Sequence, residues 1–162
     1  MGAAYAASPG ESEPALIIKI GKFVRWPETA FANSHGVLQL CVVGEAEGDA
    51  ALDTLNGKKL QDRVIEVAHL SHEDSLAGCQ IIFINRSERE RLAELLAAVA
   101  RTPVLTVSDM QGFVAQGGMI GFTAVNGTTG FEINRAASSR AGLTIGAQLL
   151  QIAAAGTQAG KR

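Results

Sequence analysis

Two cysteines carry the most readily oxidised side chains of this chain. Cys41 lies in the apolar run LQLCVVG, and Cys79 opens the apolar run CQIIFI. If these runs are neighbouring strands of one sheet, the two Cα atoms can reach the roughly 4.4–6.8 Å separation that a disulfide requires. Two free thiols buried in a core would leave the same pattern, since cysteine is among the residues most often buried. From the residues alone, a disulfide and a pair of core thiols both remain open.

A group of candidate metal ligands lies in one polar segment, which holds His69, His72, Glu73 and Asp74. A zinc site needs three or four convergent ligands, and the remaining histidine, His35, is distant in sequence. A solvated loop is therefore the favoured interpretation, and no metal site is expected.

Ser108 and Asp109 end the apolar run PVLTVSD. They come at the carboxyl end of a predicted strand, where open α/β sheets bind ligands. Catalysis by a serine nucleophile requires a histidine base, but the C-terminal half contains no histidine and no GxSxG turn. We therefore expect no catalytic residues and no enzyme activity. A turn or helix cap is the favoured role of this pair, and a small-molecule pocket is the alternative.

The segment Gly44-Glu-Ala-Glu-Gly48 follows a predicted strand, a position where α/β proteins often hold phosphates. Glu45 and Glu47 would repel a phosphate, and the segment lacks both the GxGxxG pattern and a Lys-Ser/Thr pair. We interpret it as a connecting turn, and no cofactor is expected.

Length and composition indicate one globular domain. The chain has 162 residues, of which 47% are hydrophobic and 19% charged, and its net charge is -2. Nucleic-acid binding is disfavoured because no basic patch is present to displace counterions from phosphates. No apolar run approaches the roughly 18 residues of a membrane span, so the protein is not expected to be membrane-inserted.

Short apolar runs alternate with helical patterns along the chain. The predicted strands are Val37–Val43, Val64–Ala68, Cys79–Ile84 and Pro103–Val107. The predicted helices are Leu16–Val24, ended by Trp26-Pro27, then Asp49–Leu55, and Glu88–Arg101 with a capping box of Ser87 and Glu90. This alternation predicts an α/β single domain with a central, mostly parallel sheet flanked by helices on both faces.

An antiparallel hairpin is predicted near the C-terminus. Its strands, Gly118–Val125 and Thr129–Ile133, flank Asn126-Gly127, a pair that tolerates the positive φ angles of a tight turn. After the hairpin, Asn134 is predicted to cap a helix that Gly142 ends. Thr144 is predicted to cap a further helix that reaches Ala155.

The hairpin also holds candidate binding residues. Phe122 and Phe131 face each other across the two strands, and alternation places Glu132 on the face opposite Phe131 and Ile133. The phenylalanines are interpreted as core, with Glu132 in solvent. Alternatively, this edge and the following helix form a docking surface, since apolar anchors beside a charge are typical of interface hot spots. Trp26 has the same two interpretations, core packing or partner contact.

Six motifs follow one another along the chain: LIIKIGKFVRWPETAF, LQLCVVGE, GCQIIFI, PVLTVSD, QGGMIGF and GFEIN. In this order the chain resembles the YfiR-like family of small bacterial periplasmic regulators, from about Glu13 to Ala154. The expected organisation is a disordered N-terminal remnant over residues 1–12, a YfiR-like α/β domain over 13–155 and a disordered tail over 156–162. Ala4-Tyr5-Ala6 has the small-residue spacing of the end of a secretory signal. The resemblance favours export, with the signal peptide removed, over an ordinary disordered N-terminus.

The resemblance implies a disulfide between Cys41 and Cys79, because members of the family carry a cysteine pair at these two motifs. A second pair, found near GGMIGF in members with four cysteines, is absent here. Redox regulation that depends on that pair therefore does not carry over. Phe122 and Glu132 match the family's partner-binding region around its FE motif and are carried over as partner-binding residues.

The resemblance also implies a mechanism without a cofactor. The domain would bind the periplasmic region of an inner-membrane diguanylate cyclase, or of another sensor, and repress it. An outer-membrane, peptidoglycan-binding lipoprotein would sequester the regulator, which would raise cyclic-di-GMP and promote biofilm formation. Apolar helices at both ends of the domain predict a homodimer as well. The alternative function is that of a small-molecule-binding periplasmic sensor domain of another signalling system, with its pocket near Ser108 and Asp109.

Overall fold

The computed structural model describes residues 3–6, 12–32, 35–44, 49–71, 73–125 and 128–150. Ten strands lie within these ranges. They are β1 Ala3–Ala6, β2 Val24–Arg25, β3 Val37–Val43, β4 Lys59–Leu60, β5 Arg63–Leu70, β6 Ile81–Ile84, β7 Leu105–Ser108, β8 Ile120–Val125, β9 Thr128–Ile133 and β10 Thr144–Ile145.

Eight of these strands form one mixed sheet in the order β1-β9-β8-β7-β6-β3-β5-β4. The strands β5, β3, β6, β7 and β8 are parallel to one another. The pairings of β4 with β5, of β8 with β9 and of β9 with β1 are antiparallel. β2 and β10 form a separate antiparallel pair. The predicted single α/β domain and its C-terminal hairpin are confirmed, with a mixed sheet and few helices.

Three complete α-helices lie in the described ranges: α1 Glu13–Gly21, α2 Leu92–Val99 and α3 Arg135–Arg140. Four 3₁₀ segments accompany them, at Glu28–Phe31, Asp49–Leu55, Arg86–Arg91 and Val114–Gln116. Asp49–Leu55 thus has the predicted bounds but is a 3₁₀ helix.

None of the helices in the described part of the chain has the length and apolarity needed to cross a bilayer.

Side chains of β3 alternate between two apolar clusters, as the period of a strand requires. Leu38, Leu40 and Val42 belong to one cluster, whereas Cys41 and Val43 belong to the other. The first cluster contains Leu16, Ile17 and Ile20 of α1 together with Ala137 of α3, and the second contains Leu92, Leu95 and Val99 of α2.

Helix α1 begins and ends through side-chain hydrogen bonds. The Oγ of Ser12 accepts a hydrogen bond from the Ala15 backbone N–H at 3.3 Å, which caps the first turn. At the other end, Nε2 of Gln61 donates to the carbonyls of Gly21 at 2.6 Å and Val24 at 2.7 Å. The predicted helix through Val24 is therefore too long by one turn, because Val24 belongs to β2.

The predicted helix Glu88–Arg101 is confirmed only over Leu92–Val99, and its predicted capping box is wrong. The side chain of Asn85, not that of Ser87, provides the cap by accepting a hydrogen bond from the Ser87 N–H at 2.8 Å. Glu88 has non-helical angles, φ −96° and ψ 16°, so α2 begins only at Leu92. The regular helix is interrupted at Glu88, which is buried beside Gly44: a Cβ at Gly44 would lie 3.0 Å from Cγ of Glu88.

At the C-terminus the cap at Asn134 is confirmed, since its side chain accepts a hydrogen bond from the Ala137 N–H. The cap at Thr144 is wrong. Thr144 pairs with Arg25 in the β10–β2 ladder, and helical backbone begins only at residue 147. Residues 151–155, which complete the predicted helix, lie outside the described residues, as do Asn126-Gly127 and the tail 156–162.

Within the N-terminal segment 1–12, for which disorder was expected, Ala3–Ala6 forms β1. Ala3 is aligned with Ile133 and Ala6 with Gly130 in an antiparallel ladder. The outer edge of β9 is therefore covered by a strand.

Candidate functional site

The predicted disulfide between Cys41 and Cys79 is confirmed, with a Cα–Cα distance of 6.0 Å. Parallel pairing of β3 with β6 places Cys41 beside Ile82, and Cys79 lies just before the strand that Ile82 belongs to. Both cysteines are buried, with exposed fractions of 2% and 5%. The bond therefore links β3 to the entrance of β6 inside the cluster that contains α2.

The hairpin strands β8 and β9 pair so that their large apolar side chains meet on one face. Phe122 lies opposite Phe131, and Ile120 lies opposite Ile133. All four are buried in the cluster that contains α1. Phe122 is only 4% exposed, so it does not present its ring to a partner in this conformation. It supports the hairpin from inside, and its role in partner binding stays a prediction.

Glu132 lies on the opposite face of β9 and is partly exposed. Its neighbours in the sheet are Gly121 on β8 and Ala4 on β1. A Cβ at Gly121 would lie 3.9 Å from Oε1 of Glu132 and 3.1 Å from Cγ2 of Val114. The Glu132 side chain therefore lies above Gly121 and beside Val114.

Helix α3 follows β9 directly and is held in place by polar contacts. Asn134 caps it through the Ala137 N–H at 3.0 Å and donates from Nδ2 to the Val114 carbonyl at 3.3 Å. The hydroxyl of Ser138, which is buried, donates to the carbonyls of Asn134 and Arg135. These bonds fix the outward face of the helix relative to β9.

Four polar side chains at the end of β9 and on α3 are partly or fully exposed: Glu132, Arg135, Ser139 and Arg140. We call this set the β9–α3 surface. Glu132 forms no ion pair with any side chain in the described ranges. The surface offers one carboxylate, two guanidinium groups and a hydroxyl, which suit salt bridges and hydrogen bonds with a partner. This arrangement is suited to protein recognition.

Ser108 and Asp109, the alternative site from the sequence, have structural contacts. Ser108 is fully buried, and its Oγ donates to the Ile84 carbonyl at 2.6 Å and accepts from the Met110 N–H at 3.0 Å. Asp109 accepts a hydrogen bond from Arg86 at 2.9 Å. This hydrogen bond and the charge of Asp109 raise the pKa of Arg86 above its ordinary value, against a small opposing effect of burial. Arg86 was not identified from the sequence, because it is 23 residues from Asp109 and no sequence pattern connects the two.

The polar segment with the histidines does not converge on a metal site in the part of the chain that can be described. Nε2 of His69 lies 2.6 Å from Oδ1 of Asp53, and both side chains are about half exposed. Among the described residues, no group of three or more His, Cys, Asp or Glu side chains has the geometry to hold a metal ion. His72, Glu45 and Glu47 lie outside the described residues.

Trp26 is 7% exposed and belongs to the core, which confirms the first of its two interpretations. Its Nε1 donates to the Gln80 carbonyl at 3.0 Å. Its ring makes an edge contact with Phe31, at a centroid distance of 5.9 Å. Trp26 thus ties the segment after α1 to the entrance of β6.

The family model described as YfiR/HmsC-like matches residues 11–154, which include the disulfide, the hairpin and the β9–α3 surface.

Proposed function

Because the chain belongs to the YfiR/HmsC-like family, we propose that it is a periplasmic protein-binding regulator of cyclic-di-GMP signalling. The family is one of regulators rather than of enzymes. The match over residues 11–154 is the observation that carries this proposal.

In the proposed mechanism the protein binds the periplasmic sensor region of an inner-membrane diguanylate cyclase and holds the enzyme inactive. An outer-membrane, peptidoglycan-binding lipoprotein competes for the regulator. The outcome depends on the free concentrations of the two partners and on the ratio of their affinities for the regulator, because both compete for the same protein. No chemical step by this chain is required.

Two features of the structure support the proposal. The buried disulfide between Cys41 and Cys79 suits an oxidising compartment such as the periplasm, because thiols are kept reduced in the cytosol. The β9–α3 surface offers Glu132, Arg135 and Arg140 on a rigid base of paired strands and a capped helix. We propose this surface as the contact for the sensor region, with Glu132 as its central charge.

We also propose a homodimer, but the apolar face of α1 does not form its interface. The apolar residues of α1, Leu16, Ile17 and Ile20, are buried in the protein's own core. They are therefore not available as a self-complementary face. Light scattering coupled to size-exclusion chromatography would distinguish a monomer from a dimer.

The alternative function, a small-molecule sensor with a pocket at Ser108 and Asp109, is less well supported. The Ser108 hydroxyl already donates to one backbone group and accepts from another, and Asp109 is bonded to Arg86. A ligand at this position would have to displace these contacts.

The test first asks whether a neighbouring gene encodes a membrane diguanylate cyclase or another membrane sensor, and then measures binding of the purified protein to the periplasmic region of that membrane protein. The proposal predicts a saturable complex and lower cyclase activity in membranes when the protein is added. If the protein does not bind a cyclase's sensor region but binds the periplasmic region of another kind of sensor, the cyclase part of the proposal is wrong. If no sensor region binds, the regulator function itself is wrong.

A further inference from the structure

An open groove of about 760 Å³ runs along one side of α2, from Arg91 to Val99. Its other walls are the segment of residues 74–80 and the end of the 3₁₀ helix Glu28–Phe31. We call it the α2 groove. Pockets for small organic molecules usually have volumes of roughly 300–1,000 Å³, so this groove has the size for such a ligand. It shares no residue with the β9–α3 surface.

The floor of the α2 groove is apolar and nearly buried. It is formed by Cys79, Leu95, Val99 and Val104, each with an exposed fraction of 5% or 6%. An apolar ligand surface placed on this floor would be removed from water, which is the main source of affinity in such sites.

The walls of the groove are cross-linked before any ligand arrives. The disulfide from Cys79 to Cys41 attaches the segment of residues 74–80 to β3. Gln80 is buried and makes two further links: its Nε2 donates to the Ala30 carbonyl at 2.6 Å, and its Oε1 accepts from the Gln39 N–H at 2.6 Å. Because the walls are held in this way, a ligand would lose little affinity to ordering them.

The charges along the groove favour a cation. Two carboxylates, Asp74 and Glu94, line it, and both side chains are exposed. Asp74 is held by hydrogen bonds to its Oδ2 from the N–H and Oγ of Ser71. Among the described residues that line the groove, Arg91 is the one cation, and it lies 4.0 Å from the carboxylate of Glu88. The carbonyl end of α2 adds partial negative charge near Val99.

From this combination we propose that the α2 groove binds a small organic cation, with an apolar body on the floor and a primary ammonium group between Asp74 and Glu94. The ligand class follows from the apolar floor and the excess of carboxylates at the rim. The proposal does not depend on the regulator function, since a ligand here leaves the β9–α3 surface uncovered.

The experiment uses phenethylamine as the probe and phenylacetate as its matched control, because both have the same ring but opposite charge. Titration of the ¹⁵N-labelled protein, followed by amide chemical shifts, should give saturable binding of phenethylamine with a dissociation constant of about 1 mM or lower. The shifts should be largest around Gly78 and Ala98, which line the groove. Phenylacetate should bind at least about tenfold more weakly.

Matched variants of α2 test the location. Ala98→Trp fills the groove and should abolish binding, whereas Ala93→Trp places the same side chain on the other flank of the helix and should leave binding unchanged. Glu94→Gln should weaken the binding of phenethylamine severalfold and strengthen that of phenylacetate, so the difference between the two probes should shrink. If a tryptophan variant does not fold, the chemical-shift map on the unchanged protein decides the location by itself.

Three results would overturn the proposal: no saturable binding of phenethylamine, equal binding of phenylacetate, or shifts that map away from the groove. None of these results would affect the complex with a sensor region. Failure of that complex would in turn leave the binding of phenethylamine unchanged, so the two proposals can fail separately.

Discussion

Glu132 lies directly opposite Gly121 on the neighbouring strand, and its Oε1 is 3.9 Å from the place where a Cβ at Gly121 would be. A Cβ at Gly121 would meet this carboxylate at an ordinary contact distance, whereas it would be crowded by Cγ2 of Val114 at 3.1 Å. On the other face of the same strands, Phe122 and Phe131 are buried. The hairpin thus has one apolar face in the core and one charged position beside α3, and stability and recognition can be tested at different residues.

The first prediction concerns recognition. Glu132→Arg reverses the charge of the β9–α3 surface and should weaken binding to the cyclase's sensor region by about tenfold or more, equal to about 1.4 kcal/mol. Binding is measured by biolayer interferometry at two salt concentrations, with thermal unfolding as the check on folding. The matched control is Glu66→Arg, an exposed position on β5 at the far end of the sheet. Equal losses for the two variants would show that the β9–α3 surface is not the contact.

The second prediction concerns the disulfide. Replacing both Cys41 and Cys79 by alanine should lower the free energy of unfolding by roughly 4 kcal/mol, because the unfolded chain is no longer constrained by a closed loop. The measurement is urea unfolding followed by circular dichroism. A reducing agent should destabilise the unchanged protein by a similar amount and have no effect on the double variant. If the oxidised protein and the double variant unfold at the same urea concentration, the bond contributes nothing to stability.

The third prediction separates two costs of a side chain at a glycine. Gly44 has φ +113°, and an added Cβ would lie 2.7 Å from Oγ of Ser87 and 2.9 Å from Cβ of Asn85. Gly44→Ala should therefore destabilise by roughly 3 kcal/mol, through backbone strain and overpacking together. Gly36 has φ +83° with nothing within 4 Å of its added Cβ, so Gly36→Ala should show the strain alone, about 1 kcal/mol. Equal values in urea unfolding would mean that the contact between Gly44 and Ser87 is loose.

The fourth prediction tests whether Ser108 is structural. Ser108→Ala leaves the Met110 N–H and the Ile84 carbonyl without their buried partner, which should lower the free energy of unfolding by roughly 1–3 kcal/mol. Ser139→Ala, at an exposed position of α3, should change it by no more than about 0.5 kcal/mol. Partner binding by folded Ser108→Ala should be unchanged. A variant with normal stability but lost binding would assign Ser108 a functional role instead.

Local sequence patterns were sufficient where neighbouring residues decide the conformation. Strand β3 has its predicted bounds because an apolar run is enclosed by residues with positive φ, His35 and Gly36 before it and Gly44 after it. The cap at Asn134 was likewise predictable, since its side chain bonds to the N–H three residues later. The contact of the Asn134 cap lies within three residues along the chain, and for β3 the local sequence marks the two ends of the strand, although its partners β5 and β6 are distant.

Local patterns were wrong at two predicted helix caps. Ser87 and Asn85 are both good capping residues, and the structure uses Asn85, with Glu88 in a non-helical conformation three residues later. Threonine is common both at helix N-caps and in strands, and Thr144 is in a strand because it pairs with Arg25. This distant partner cannot be identified from the surrounding sequence.

The sequence by itself determined the apolar runs, their turns, the α/β class and the motif order that indicates the family. Only the tertiary structure decided that Cys41 and Cys79 are bonded, that Phe122 is buried and that the α2 groove exists. The disulfide, the burial of Phe122 and the groove all depend on strand register and on contacts between segments far apart in sequence. The position of a turn or of a helix cap depends on neighbouring residues.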